Sequence, residues 1–192
     1  MSDKSEASNN ANHPFSLQPF PSNQPQPNLK ITGNITRIAN KQTNKLTIHY
    51  TVSGDIPAIN ITPPSNTPTR KFELWEETCF EFFIGIKDSQ KYWEFNLSPA
   101  GHWNIYSFDN YRQGMKEETA FNILPFTVEN LSDSILLNLE FDLDKLITPN
   151  IALEVAITTV IKDKNSQFSY WALTHKGKEA NFHLRDSFVI EL

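Results

Sequence analysis

Between Leu74 and Arg112 the chain reads LWEETCFEFFIGIKDSQKYWEFNLSPAGHWNIYSFDNYR, three runs of aromatic and branched residues separated by two turn signals. Runs of this composition favour a pleated, half-buried surface, and the polar KDSQ segment interrupts them as a hairpin connection does. In SPAG, Ser, Pro and Gly stand at the first, second and fourth positions of a type I turn, where Pro presets φ and Gly relieves the exit. The stretch therefore predicts a three-strand antiparallel meander over 78–86, 92–97 and 102–108.

Side chains alternate faces along a strand, so parity assigns them. With Lys87 to Gln90 as a four-residue loop, Ile84 faces Trp93, Phe82 faces Phe95 and Phe80 faces Leu97, an apolar set that belongs to a core. The other face carries Cys79, Glu81 and Phe83 beside Tyr92, Glu94, Asn96 and Ser98, a polar and aromatic mixture suited to binding. A four-residue SPAG turn adds Trp103 and Ile105 to this second face, whereas a three- or five-residue turn adds Asn104 and Tyr106. An aromatic plane can stack on the C–H face of a sugar ring while carboxylates and amides accept its hydroxyl protons. Glu81, Tyr92, Glu94, Asn96, Trp103, Tyr106 and Arg112 are accordingly the candidate ligand-binding residues, with a carbohydrate or other small molecule as the expected ligand.

The rest of the chain reads as further strands. Leu46, Ile48, Tyr50 and Val52 share one face of a hairpin that begins near Leu29, and His49 points to the opposite side. Residues 55–70 hold four prolines, which lack the ladder donor, and so predict a surface crossover. Phe121 to Val128 with Ser134 to Phe141, then Leu153 to Ile161 with Phe168 to Leu173, read as strand pairs, and Ser187 to Leu192 as a closing strand. Asp142 is placed to cap a single helical turn. Nine or ten short strands with almost no helical periodicity predict an all-β antiparallel sandwich.

Four pieces carry a family resemblance: LWEETCFEFF at Leu74 to Phe83, YWEFNLSPAGHWNIYSFDNYRQGM at Tyr92 to Met115, SYWALTH at Ser169 to His175, and NFHLRDSFVIEL at Asn181 to Leu192. In order and spacing they resemble the DOMON-like domains, a superfamily that includes the family-9 carbohydrate-binding modules, and within it a bacterial branch. The resemblance implies a jelly-roll-like β-sandwich whose relatives bind sugars or haem. The chain departs from the branch at Glu77, where members have His.

Other chemistries are less well supplied. His175 and His183 flank the KGKEANF loop and are candidate ligand-binding residues at strand ends, but their spacing matches no zinc signature. Haem ligation in DOMON relatives pairs Met with His, and Met115 is the only methionine beyond the initiator. That leaves a haem-binding electron-transfer module as an alternative with little in its favour, and no cofactor is assigned. Glu81 and Glu94 could form the carboxylate pair of a glycoside hydrolase. They lie diagonally on one sheet, ~7 Å apart at the backbone, so the reading prefers binding to catalysis.

Composition narrows the setting. A net charge of −5 gives no attraction for phosphate backbones, so nucleic acid is not an expected partner. One cysteine, Cys79, precludes an internal disulfide, which fits a reducing compartment. The first residues hold no apolar h-region and no span reaches membrane length, so a cytoplasmic location with no membrane partner is expected. Asn, Ser, Gln and Pro dominate residues 1–28, predicting a disordered tail before a domain over 29–192. Phe15, Leu17 and Phe20 are its exceptions, read first as stray apolar residues of a tail and second as a docking segment for a protein partner or for the domain's own sheet edge.

Overall fold

The structure, a computed structural model, describes residues 9–192. Thirteen strands occur among them: β1 Asn9–Ser16, β2 Gln18–Pro19, β3 Leu29–Ala39, β4 Asn44–Gly54, β5 Cys79–Ile86, β6 Tyr92–Leu97, β7 Trp103–Phe108, β8 Lys116–Glu117, β9 Phe126–Asn130, β10 Ser134–Asp142, β11 Leu153–Lys162, β12 Phe168–Ala172 and β13 Ile190–Glu191. They form two sheets, one in the order β1-β3-β4-β10-β9 and one in the order β2-β12-β11-β5-β6-β7-β8, with β13 added to β11. The ladders are antiparallel, and the fold is the expected all-β sandwich.

Parity explains how one core joins the sheets. Leu46, Ile48, Tyr50 and Val52 of β4 face inward with Ile135, Leu137, Leu139 and Phe141 of β10, and all are buried. Phe80, Phe82 and Ile84 of β5 meet them from the larger sheet beside Trp93, Phe95 and Leu97. The register of β5 against β6 is the expected one, pairing Phe82 with Phe95, whose rings stack 4.4 Å apart. Asp142 caps the turn Leu143–Lys145 by accepting the Asp144 amide at 2.9 Å.

The third strand takes the other parity. Leu97 pairs with Trp103 and Asn96 with Asn104, because the β6–β7 connection spans five residues rather than the four of SPAG. Gly101 is the cause. At φ 88 it adds a left-handed residue after the Pro99–Ala100 turn, its amide bonded to the Ser98 carbonyl, and Ser98 then closes on His102. Trp103 and Ile105 consequently enter the inter-sheet core, and the Arg70 guanidinium covers the Trp103 ring at 4.3 Å.

Two boundaries also differ from expectation. Of the segment 1–28 read as a disordered tail, residues 1–8 lie outside the described residues, while β1 pairs with β3 and β2 with β12. Low apolar content is offset by placement: Phe15 and Leu17 are buried, and Phe15 lies opposite Gly33 and packs edge-on to Tyr50 at 5.3 Å. A side chain at Gly33 would collide with the His49 carbonyl and the tip of the Phe15 ring. At the other end, Ser187 to Leu192 is not one strand. A turn at Arg185–Ser187 precedes β13, and Arg185 donates to Glu154 Oε2 at 2.6 Å and to the Ile86 carbonyl at 3.1 Å.

Candidate functional site

Both faces of the β5–β6–β7 region are buried, although only one belongs to the inter-sheet core. The loop between β12 and β13 folds back across the outer face and sets Phe182 and Phe188 against Phe83, Tyr92, Tyr106, Phe108 and Ala156. Beside this layer lies a cavity of about 360 Å³. Its floor carries Glu81, Phe83 and Glu94; its walls include Trp75, Phe108, Tyr170 and Phe182, and Arg112, Met115 and His183 complete it.

The two carboxyl groups are nearly inaccessible, Glu81 at 2% and Glu94 at 5% exposure. Glu94 Oε1 accepts the Asn96 amide at 2.8 Å, and the Asn96 carbonyl oxygen lies 3.6 Å from the Cys79 thiol that donates to it. Glu81 Oε2 accepts the Thr158 hydroxyl at 3.3 Å, whereas Glu81 Oε1 is buried with no hydrogen-bond partner. Burial disfavours the ionised form of each. It pushes Glu94 up to about 7, and burial followed by repulsion from Glu94 raises Glu81 well above the carboxylate range.

His183 closes the site from above. Its ring stands edge-on to Phe83 at 5.3 Å and Phe108 at 5.2 Å, with Nδ1 2.9 Å from the Tyr92 hydroxyl and Nε2 3.7 Å from Glu94 Oε2. Burial, then the charge of Arg112, pushes its pKa down to about 3, so the approach to Glu94 is one of a neutral imidazole. The Arg112 amide donates to the Tyr92 hydroxyl at 3.1 Å, so Tyr92 ties the backbone at Arg112 to the His183 ring. A haem iron would need one of those ring nitrogens. Met115 lines the same cavity, but with both nitrogens of His183 directed at protein groups the pair does not suit haem.

Seven of the nine expected binding residues are thus gathered here. Glu81, Glu94, Arg112 and His183 line the cavity; Tyr92 and Asn96 orient His183 and Glu94. Tyr106 stands behind Trp75, ring centroids 5.8 Å apart, with its hydroxyl accepting the Asn104 amide at 2.8 Å. Trp103 is on the opposite face, for the parity reason given above. His175 is also elsewhere: β12 runs beside the N-terminal segment, so His175 meets the Gln18 carbonyl at 2.9 Å and the Phe20 ring at 5.1 Å.

Trp75, Tyr170 and Phe182 were not expected in the site. Their sequence signal is weak because each reaches the cavity from a different loop or edge, yet Trp75 and Tyr170 supply the aromatic planes that Trp103 was expected to give. Among the described residues, no group of three or more metal-ligating side chains occurs, and no helix is long and apolar enough to cross a membrane.

No protein-family model matches the sequence, and no curated protein matches it. Among solved structures, the fold is similar to the crystal structure of a "putative carbohydrate-binding protein" from Bacteroides uniformis, with a TM-score of 0.64. The match has 13% sequence identity and covers 94% of this chain and 84% of that one, which establishes a shared fold.

Proposed function

We propose that the protein is a non-catalytic ligand-binding β-sandwich whose ligand is a carbohydrate or sugar conjugate held in the cavity over β5 and β6. The observation that carries this reading is the cavity's composition: aromatic walls at Trp75 and Tyr170 above two buried carboxyl groups, one of which keeps an oxygen without a partner. Aromatic planes accept the apolar face of a sugar ring, and unsatisfied buried polar atoms gain most from a ligand that completes their hydrogen bonds. The fold neighbour described as a "putative carbohydrate-binding protein" and the DOMON-like sequence pieces support the same class. A cytoplasmic setting fits the lone thiol of Cys79, buried and unpaired.

Trp75 makes the reading testable, since it is the tryptophan lining the cavity. Titration of the protein with a panel of mono- and oligosaccharides should shift its tryptophan emission, and Trp75→Phe should remove the shift without loss of fold. A panel that produces no change at millimolar concentration, in emission or in amide resonances around the cavity, refutes the proposal. Release of free sugar from chromogenic glycosides would instead assign Glu81 and Glu94 to hydrolysis.

A further inference from the structure

Two carboxyl groups share the cavity floor, and the lining brings one permanent cation, Arg112, to the pair. Glu81 pairs with Asn96 and Glu94 with Phe83 across β5 and β6, which makes them diagonal neighbours on one face. The basic group beside Glu94 is His183, whose burial keeps it neutral. Arg185, two residues further on, is engaged with Glu154, Lys176 and Lys178 of the same loop are exposed, and Arg112 acts on Glu94 through its charge with no ion pair within 4.0 Å of either carboxyl among the described residues. β11 offers only the Thr158 hydroxyl and the apolar Val160. Cys79, Tyr92 and Tyr106, the remaining titratable groups of this face, are all shifted toward their neutral forms.

We propose that the cavity receives a protonated amine, with the ligand's ammonium group donating to Glu81 Oε1 and to the Glu94 carboxylate against the aromatic walls. This rests on the carbohydrate reading and narrows it to an amino sugar. Charge-assisted bonds to a carboxylate are the strongest a buried oxygen can make, and an ammonium also favours the faces of Trp and Tyr rings. The unpartnered oxygen of Glu81, 2% exposed and lining the cavity, is the observation that separates this site from an ordinary acidic cluster. In the free protein burial favours the protonated form of both carboxyl groups, with Glu94 half protonated at about pH 7. Binding an ammonium group must therefore expel protons.

The test is calorimetry at about pH 7 in two buffers of different ionisation enthalpy, with D-glucosamine, D-glucose, N-acetyl-D-glucosamine and n-butylamine as probes, each checked by amide resonances of the cavity. The expected result is D-glucosamine binding at least about tenfold tighter than the two uncharged sugars, the scale of a hydrogen bond to a charged group. Protons should be released on binding, and the preference should be lost in Glu81→Gln. Proton release is read on the unaltered protein, so it decides the matter even where that variant does not fold. D-glucose or N-acetyl-D-glucosamine binding as tightly as D-glucosamine overturns the amine while leaving the carbohydrate reading. Binding of n-butylamine at the cavity with proton release, and of no sugar, keeps the amine site and removes the carbohydrate. Binding of none of the four overturns the inference.

Discussion

Removing the Phe15 ring tests whether the first described strand belongs to the domain. Phe15 is 6% exposed, stands opposite Gly33 and meets Tyr50 edge-on. A buried phenylalanine removed from a core typically costs about 3–5 kcal/mol, counting lost transfer energy and the cavity left behind. Because β1 is an edge strand that can settle inward, the lower end applies, about 3 kcal/mol. For a chain of this length each kcal/mol lowers Tm by about 2–4 °C, so Phe15→Ala should melt about 6–12 °C below the parent. Urea denaturation should show the same loss at an unchanged slope. Gly33→Ala, which places a methyl group against the Phe15 ring and the His49 carbonyl, should also destabilise. If Phe15→Ala shifts Tm by less than about 2 °C, the strand contributes no docking energy and the segment behaves as the tail its composition suggested.

Phe82→Ala should cost about 3–5 kcal/mol in urea denaturation, since its ring is fully buried and stacked on Phe95. Glu81→Gln on the neighbouring parity should cost less or stabilise, because it removes a buried ionisable group. Trp103→Ala should lower stability and leave the emission change on ligand binding intact, the ring being in the inter-sheet core. For pH, burial raises Glu94 from 4.5 to about 7, so its contribution is present below 4.5 and is lost, by about 3 kcal/mol, as pH rises through 7. His183, lowered from 6.5 to about 3, contributes above 6.5 and loses that as pH falls toward 3. The two slopes oppose each other between 4.5 and 6.5, so urea midpoints should fall on the alkaline side of 6.5, and Glu94→Gln should flatten that fall.

The β5–β6 hairpin was legible because Phe80, Phe82, Ile84, Trp93, Phe95 and Leu97 form an apolar set in only one register, and a slip would bury Glu81 and Glu94 between the sheets. The site residues on those two strands followed from the same parity. Trp103 did not, because the extra residue comes from Gly101 at φ 88, and composition alone does not distinguish a four-residue turn from one with an added left-handed residue. Phe15 and Leu17 were hidden by their polar surroundings, although Gly33 in the middle of β3 is the kind of vacancy that marks a close approach. Trp75, Tyr170 and Phe182 converge only through tertiary structure, which no local period encodes.

The strands β1 and β2 are separated by a single residue, Leu17, yet they finish different sheets: β1 lies on the open side of β3 and β2 on that of β12. One short piece of chain therefore covers two rows of backbone N–H and C=O groups that would otherwise invite pairing with another molecule. Detaching it exposes both rows together, and the segment that best fits them is the same segment of a second copy. At high concentration or after partial unfolding, the expected product is a dimer in which the copies exchange these strands, with each sandwich completed by its neighbour.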